Sequence, residues 1–318
     1  MATASSEPRR RVAVMGAGAV GSFYGAMLAR AGHAVTLIGR PAHVQAIRRD
    51  GLKLEMGGAT HRVALQASSD PAALRGAELV LCCVKSGDSE SAALQMAPHL
   101  DASAWVLSLQ NGVDNAQTLQ RHLPCRVIPT VVYVAVGLSG PGVVQHFGRG
   151  DLAIGAMPGG TESSVPEWPT LRSLVHLFAG AQVPLRIVPD VAVELWTKLL
   201  VNCAYNAISA LAQMPYARLA ALPQIVELQE QVVQEVIAVA AACGVTLPLP
   251  ASREAVAKIA LGMPQQLSST AQDLARHKPS EIDHLNGFVA RRGRELGVDT
   301  PLNQALHALV KLVESGYA

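Results

Sequence analysis

Charge is scarce in this chain. Asp, Glu, Lys and Arg make up 16% of its 318 residues, against about 25% in an average soluble protein. What charge there is nearly cancels: 26 basic and 24 acidic residues leave a net +2. That balance excludes a broad field for nucleic acid or an anionic membrane surface. Cysteine is sparse as well. Cys82, Cys83, Cys125, Cys203 and Cys243 form no C-x-x-C pair. An odd, irregular set in a chain this long argues for a reducing, cytoplasmic location and against a disulfide framework. Long apolar runs are missing: Val236–Cys243 is among the longest, far short of the roughly 20 residues that span a bilayer. Pro8-Arg9-Arg10-Arg11 leads into a short strand and a glycine turn, not into a secretory apolar segment. The ten histidines show no H-E-x-x-H or comparable spacing, so no metal site is expected.

What is present is apolar: hydrophobic residues make up 50% of the chain. This excludes disorder, and at roughly 100–200 residues per domain the length suits one large domain or two ordinary ones. The run Arg11–Met15, the turn Gly16–Gly21, a helical pattern over Val20–Arg30 with Gly32 as its stop, and a β-branched run Ala34–Ile38 follow in order. Strand, glycine turn, helix and strand open a parallel α/β sheet. Leu79–Val84, Trp105–Leu109, Arg126–Val136 and Leu185–Val188 read as further strands, with a helix over about 114–122. Val143–Phe147 and Asp151–Ile154 read as a hairpin, and Pro158–Pro169 as a polar surface loop. After Pro189 helical periodicity takes over, at about Val191–Leu211, Pro223–Cys243, Ser252–Leu261, Ile282–Leu296 and Asn303–Glu314. An α/β domain over 1–190 and an all-α domain over 191–318 are therefore expected.

The GAGAVG turn supplies Gly16, Gly18, Ala19, Val20 and Gly21 in a G-x-G-x-x-G frame between strand and helix. The first glycine permits the tight turn, the second admits a pyrophosphate to the backbone, and the third lets helix pack on strand. An NAD site usually places an acidic residue about 20 residues further on to bind the ribose. Here the second strand ends Ile38-Gly39-Arg40, and a guanidinium fork matches a phosphate. NADPH is the expected cofactor, with Arg40 on the 2′-phosphate unless it is an ordinary solvated arginine. Lys85 and the Gln110-Asn111-Gly112 turn end two further strands, where ligands of open α/β sheets bind. Taken alone, Lys85 reads equally as a solvated charge and Asn111-Gly112 as a turn pair.

Lys198, Asn202 and Asn206 recur every four residues on an otherwise apolar helix. Each step of four advances only about 40°, so the three share one face. Such a stripe either faces solvent or lines a cleft; as the first helix after the nucleotide domain, it is where an interdomain cleft is expected. An ammonium there can stabilise a developing alkoxide and protonate it. Ser268-Ser269, Asp273 and Pro279-Ser280-Glu281-Ile282-Asp283 form a second polar cluster, in which Ser280-Glu281 reads first as a helix cap.

Four segments of the chain resemble the ketopantoate reductase (2-dehydropantoate 2-reductase) family. They are GAGAVGSFYGAMLARAGHAVTLIGR (Gly16–Arg40), LQNGVDN (Leu109–Asn115), LWTKLLVNCAYNAISAL (Leu195–Leu211) and SSTAQDLARHKPSEIDHLNGFVARRGRELGVDTPLN (Ser268–Asn303). The resemblance implies a Rossmann-type N-terminal domain, a helical C-terminal domain and a cleft between them. It implies NADPH-dependent reduction of 2-dehydropantoate to (R)-pantoate, a step towards pantothenate and coenzyme A. Lys198 matches the catalytic proton donor and Glu281 the glutamate that holds the substrate hydroxyl. Asn202, Asn206 and Ser269 match substrate-pocket residues, Asn111 the cofactor–substrate junction, and Arg40 with Lys85 the basic pair near the adenosine phosphate. Thr270 stands where such sequences often have methionine. The alternatives are a reductase of another 2-oxo or 3-hydroxy acid, or an NADPH-binding sensor without turnover. The only partner expected is a small 2-oxo acid; an exposed apolar helix leaves room for a homodimer that the sequence does not identify.

Overall fold

The computed structural model describes residues 9–155 and 168–317. β1 (Arg11–Met15), α1 (Ala19–Arg30) and β2 (Ala34–Ile38) flank the glycine turn. They are followed by α2 (Pro41–Asp50), β3 (Leu52–Met56), β4 (Ala59–Val63) and β5 (Gln66–Ser68). Next come β6 (Leu79–Cys82), α3 (Ser89–Met96), β7 (Trp105–Ser108) and α4 (Asn115–Gln120). β8 (Arg126–Gly140), β9 (Val143–Gly155), α5 (Trp168–Gly180) and β10 (Leu185–Val188) complete this part.

The sheet runs β4-β3-β9-β8-β7-β6-β1-β2-β5, with β10 on β9. From β8 to β5 every pairing is parallel, and the chain order matches the dinucleotide-binding arrangement in which strand order reverses beside the first strand. The central strands are buried on both faces. Val12 and Val14 of β1 and Leu79 and Leu81 of β6 enter one apolar cluster, while Ala13, Met15, Val80 and Cys82 enter the other. That is the period of two expected of a pleated strand. It explains why these strands read as unbroken apolar runs; each buried large side chain contributes about 1.5–3 kcal/mol.

Several expectations are corrected. Val143–Phe147 and Asp151–Ile154 are not a hairpin but one strand, β9. Between the two segments, Gly148 and Gly150 accommodate register shifts against β8 around Arg149, whose φ is 56°. The true turn is Pro141-Gly142 between β8 and β9, with Gly142 at φ 75°, a Pro-Gly pair of the kind that type II turns favour. The segments read as Leu79–Val84 and Trp105–Leu109 end at Cys82 and Ser108. Residues 158–167 of the expected loop lie outside the described residues, and Trp168 already begins α5. α2, β3, β4, β5, α3 and α5 carried no recognised signal: β4, for instance, is largely exposed and lacks apolar alternation.

The chain folds into two compact units. One holds the residues up to Gln110 together with Asp114–Val191; the other holds Asn111–Val113 and the residues from Ala192 onward. The second unit is helical: α6 (Val191–Ala212), α7 (Tyr216–Ala220), α8 (Pro223–Ala242), α9 (Leu249–Gly262), α10 (Ser269–Ala275), α11 (Asn286–Leu296) and α12 (Pro301–Ser315). The helix expected over Ile282–Leu296 is broken. Ile282–His284 forms a single 3-10 turn, and Leu285, at φ −112° and ψ −106°, leaves helical space before α11 starts. α12 is anchored by Glu235 of α8, whose carboxylate accepts the backbone N–H groups of Leu302 and Asn303, both at 2.9 Å. No helix among the described residues is long and apolar enough to cross a membrane.

Candidate active site

In the α/β unit, parallel pairing sets Met15, Ile38, Cys82 and Ser108 in register. The segments after β1, β2, β6 and β7 therefore emerge along one sheet edge. Backbone bonds tie them together: Gly16 and Ala17 N–H donate to Ile38 O, Cys83 N–H to Met15 O, and Leu109 N–H to Cys82 O. The three motif glycines have separate reasons. Gly16 sits at φ 100°, and a Cβ there would lie 2.7 Å from the Cys83 carbonyl carbon and the Val84 nitrogen. A Cβ on Gly21 would come within 2.3 Å of Gly16 O. A Cβ on Gly18 would meet nothing within 4 Å. Two glycines thus serve packing, and the third keeps a space open at the N-terminus of α1, which no side chain caps. That combination fits a pyrophosphate accepting helix N–H groups.

Arg40 is exposed at the N-terminus of α2, and no carboxylate stands at the end of β2, as a ribose-binding NAD site would require. Lys85 is exposed at the start of the short turn Ser86–Asp88. Behind these residues lie two buried polar networks with no signal in the sequence reading. Gln110 Nε2 donates to Ser89 Oγ at 2.6 Å, Ser108 Oγ to Gln110 Oε1 at 3.1 Å, and Ser89 Oγ to Asn115 Oδ1 at 2.7 Å. Asn115 Nδ2 donates to Ser86 Oγ at 3.3 Å. The loops after β6 and β7 are thus locked to each other. In the second network, His43 Nδ1 accepts the Gly142 N–H at 2.9 Å, which leaves Nε2 to donate to Ser22 Oγ at 3.1 Å. Burial holds the His43 pKa below its ordinary value, so the ring is neutral, as this bonding requires. Cys82 and Cys83, expected in one buried strand, divide: Cys82 ends β6 and Cys83 is half-buried beyond it. Burial pushes both thiols up, Cys82 to about 12, so neither supplies a thiolate.

In the helical unit, the half-buried positions of α6 from Val193 to Asn202 fall at 193, 194, 197, 198, 201 and 202. This single stripe contains Lys198 and Asn202, and also Glu194, which the sequence reading passed over. Asn206, one turn further on, is buried and its Nδ2 lies 3.5 Å from Ser269 Oγ. Ser268 fixes this approach: its Oγ donates to Asn206 O at 3.2 Å and accepts the Ala271 N–H at 3.0 Å, capping α10. Asn111 belongs to the same unit, and its Nδ2 donates to Glu281 Oε2 at 2.9 Å. The expected cap therefore divides. Ser280 Oγ accepts the Ile282 N–H at 3.2 Å, whereas the Glu281 side chain caps nothing and holds Asn111 instead. Among the described residues no group of His, Cys, Asp and Glu is arranged to hold a metal.

A mixed sheet, parallel from β8 to β5 and antiparallel at β8–β9 and β3–β4, with an open glycine turn at its first crossover and a separate helical unit, defines a Rossmann-type, dinucleotide-binding protein. The particular family follows from comparison. The chain belongs to the ketopantoate reductase family: residues 12–159 match the family model "Ketopantoate reductase PanE/ApbA" and residues 190–314 match its C-terminal model. It is 34% identical to the 2-dehydropantoate 2-reductase of Halobacterium salinarum, over 96% of this chain and 99% of that protein. Among solved structures, a PanE/ApbA family ketopantoate reductase from Ralstonia eutropha JMP134 superposes with a TM-score of 0.89 at 52% identity, covering 96% of this chain and 99% of that one. D-mandelate dehydrogenase, solved with NADH and anilino(oxo)acetate, also superposes at 0.89, covering 96% and 99% of the two chains. At 24% identity that likeness carries the fold alone.

Proposed function

We propose that this protein catalyses the NADPH-dependent reduction of 2-dehydropantoate to (R)-pantoate, with residues 1–190 as the cofactor domain and 191–318 as the substrate domain. The observation that carries the reading is the Asn111–Glu281 bond of 2.9 Å. It fixes in place a half-buried carboxylate, a group suited to accept a hydrogen bond from a hydroxyl, and a hydroxyl is what 2-dehydropantoate has and simple 2-oxo acids lack. Full-length likeness to proteins named 2-dehydropantoate 2-reductase supports it.

When bound, NADPH supplies the hydride that reduces the ketone carbon. Gly16, Gly18, Ala19, Val20 and Gly21 would receive the pyrophosphate, Arg40 and Lys85 the adenosine phosphate, with Arg40 on its 2′-phosphate, and Asn111 would stand at the junction of cofactor and substrate. Lys198 stabilises the negative charge developing on the carbonyl oxygen and delivers a proton to it, completing the alcohol. Asn202, Asn206 and Ser269 hold the substrate by donating to and accepting from its polar groups, while Glu281 accepts the hydroxyl. The reading places the protein in the cytoplasm, consistent with thiols that form no disulfide. It includes a homodimer, to be tested by gel filtration; exposed Leu309 and Leu312 on α12 offer apolar surface.

The test is NADPH oxidation with 2-dehydropantoate beside a panel of 2-oxo acids. The expected result is a kcat/KM for 2-dehydropantoate well above that for pyruvate or 2-oxoisovalerate. Equal values would overturn the substrate assignment and leave a reductase of another 2-oxo acid.

A further inference from the structure

We propose that Glu314, on α12, is the positioning residue that holds Glu281 in place for the substrate hydroxyl. This inference rests on the substrate role assigned to Glu281 above.

Residues 278–281 have no regular secondary structure, and only one 3-10 turn separates Glu281 from Leu285. Buried Ile282 and Leu285 anchor the far end of this turn, while residues 278–281 take their geometry from hydrogen bonds. Backbone bonds join Lys278 N–H to Asp273 O and His284 N–H to Glu281 O, and side chains of one helix face add the rest of the clamp. Glu314 Oε1 accepts both the Ser280 N–H, at 2.8 Å, and the Ser280 hydroxyl, at 2.6 Å. With its proton committed to Glu314, Ser280 Oγ presents a lone pair to the Ile282 N–H at 3.2 Å. Three residues after Ser280, the Asp283 carboxylate lies 2.6 Å from His307 Nε2 and accepts from Lys311 Nζ at 3.0 Å. Lys311 Nζ also donates to Glu314 Oε2 at 2.8 Å. His307, Lys311 and Glu314 stand four and three residues apart, hence on one side of α12. Glu281 lies between the two clamped residues, and its carboxylate accepts from Asn111 Nδ2.

The members of this network are not equivalent. Asp283 and Lys311 are 43% and 42% exposed, whereas the Glu314 side chain is 9% exposed. Exposed ion pairs of the first sort add little to stability. A nearly buried carboxylate making two charge-assisted bonds to one turn residue is a much stronger constraint. Burial alone would raise the Glu314 pKa, but the bonds from Lys311 and Ser280 outweigh it and leave the pKa lowered. The carboxylate is therefore ionised at neutral pH. The Ser280 bonds bear on the substrate only through Glu281, so their loss should weaken substrate binding and leave the cofactor untouched.

The experiment is steady-state kinetics of the full-length enzyme with NADPH and 2-dehydropantoate, for wild type, Glu314→Ala, Glu314→Gln, Ser280→Ala and Glu281→Ala. Glu314→Ala is expected to raise KM for 2-dehydropantoate about tenfold, the scale of a lost charge-assisted hydrogen bond, with KM for NADPH within about twofold. Glu314→Gln keeps an acceptor for Ser280 and should restore most of the wild-type KM. Combined with Glu281→Ala, Glu314→Ala should add nothing further, because its effect passes through Glu281. A folded Glu314→Ala with unchanged substrate KM overturns the proposal, and so does an additive double variant. If Glu314→Ala does not fold, Ser280→Ala carries the same expectation and the same refutation. A wild-type enzyme inactive on 2-dehydropantoate, or a fully active Glu281→Ala, overturns the functional reading itself and this proposal with it.

Discussion

Asn111 Nδ2 donates to Glu281 Oε2 across 2.9 Å, joining residues 170 positions apart in sequence. The bond engages one carboxylate oxygen and orients the group, as the proposed role of Glu281 in holding the substrate hydroxyl requires. Glu281→Ala is therefore expected to reduce kcat/KM for 2-dehydropantoate by about 10–100-fold, the scale of losing a charged hydrogen bond to substrate. Turnover of 2-oxoisovalerate, which lacks the hydroxyl, should change by less than about threefold. Comparable losses on both substrates would remove the hydroxyl assignment.

Lys198 projects from the half-buried stripe of α6. Lys198→Ala should lower kcat by at least about 10²-fold, the lower range for general acid catalysis, with the fold intact by circular dichroism. Near-normal turnover would remove its assigned role.

Arg40 stands at the N-terminus of α2. Arg40→Ala should weaken NADPH binding by about tenfold or more, as expected for one charge-assisted contact to phosphate, and should leave NADH almost unchanged. Fluorescence titration with both cofactors decides this: equal losses contradict a 2′-phosphate contact.

Gly18 and Gly21 separate cofactor binding from folding. Gly21→Ala puts a methyl group 2.3 Å from Gly16 O, and a destabilisation of about 2 kcal/mol or more is expected in denaturant titration. Gly18→Ala meets nothing within 4 Å. Its stability should be close to wild type, while NADPH affinity falls by about tenfold or more through obstruction of the pyrophosphate approach. Unchanged NADPH affinity in folded Gly18→Ala would contradict the cradle.

His43 predicts a dependence of stability on pH. Burial lowers its pKa from the ordinary 6.5, so the unfolded chain binds a proton that the native state rejects. Its contribution is complete above about pH 6.5 and is lost as pH falls from there towards the depressed native value. The slope is at most about 1.4 kcal/mol per pH unit. Melts of wild type between pH 8 and 5 should show this fall, and His43→Gln should flatten it. An unaltered slope in His43→Gln would assign the effect to other groups.

Local sequence determined a good deal. The order strand–glycine turn–helix–strand, the apolar runs at β6 and β7, and the change to helical periodicity near residue 190 all follow from periodicity and backbone sterics acting over a few residues. The four-residue repeat that aligns Lys198 with Asn202 does too, because helix geometry alone puts them on one face. Legibility ended where a residue's role depends on a distant partner. Val143–Phe147 and Asp151–Ile154 read as a hairpin, yet pairing with β8 makes them part of one irregular strand. Ser280-Glu281 resembles a cap, yet Asn111 and Glu314 assign its two side chains different work. The scarcity of charge made the few placed charges stand out. Which partners those side chains meet was decided only by tertiary structure, because hydrogen bonds and ion pairs act over a few ångströms and only the folded chain sets those distances.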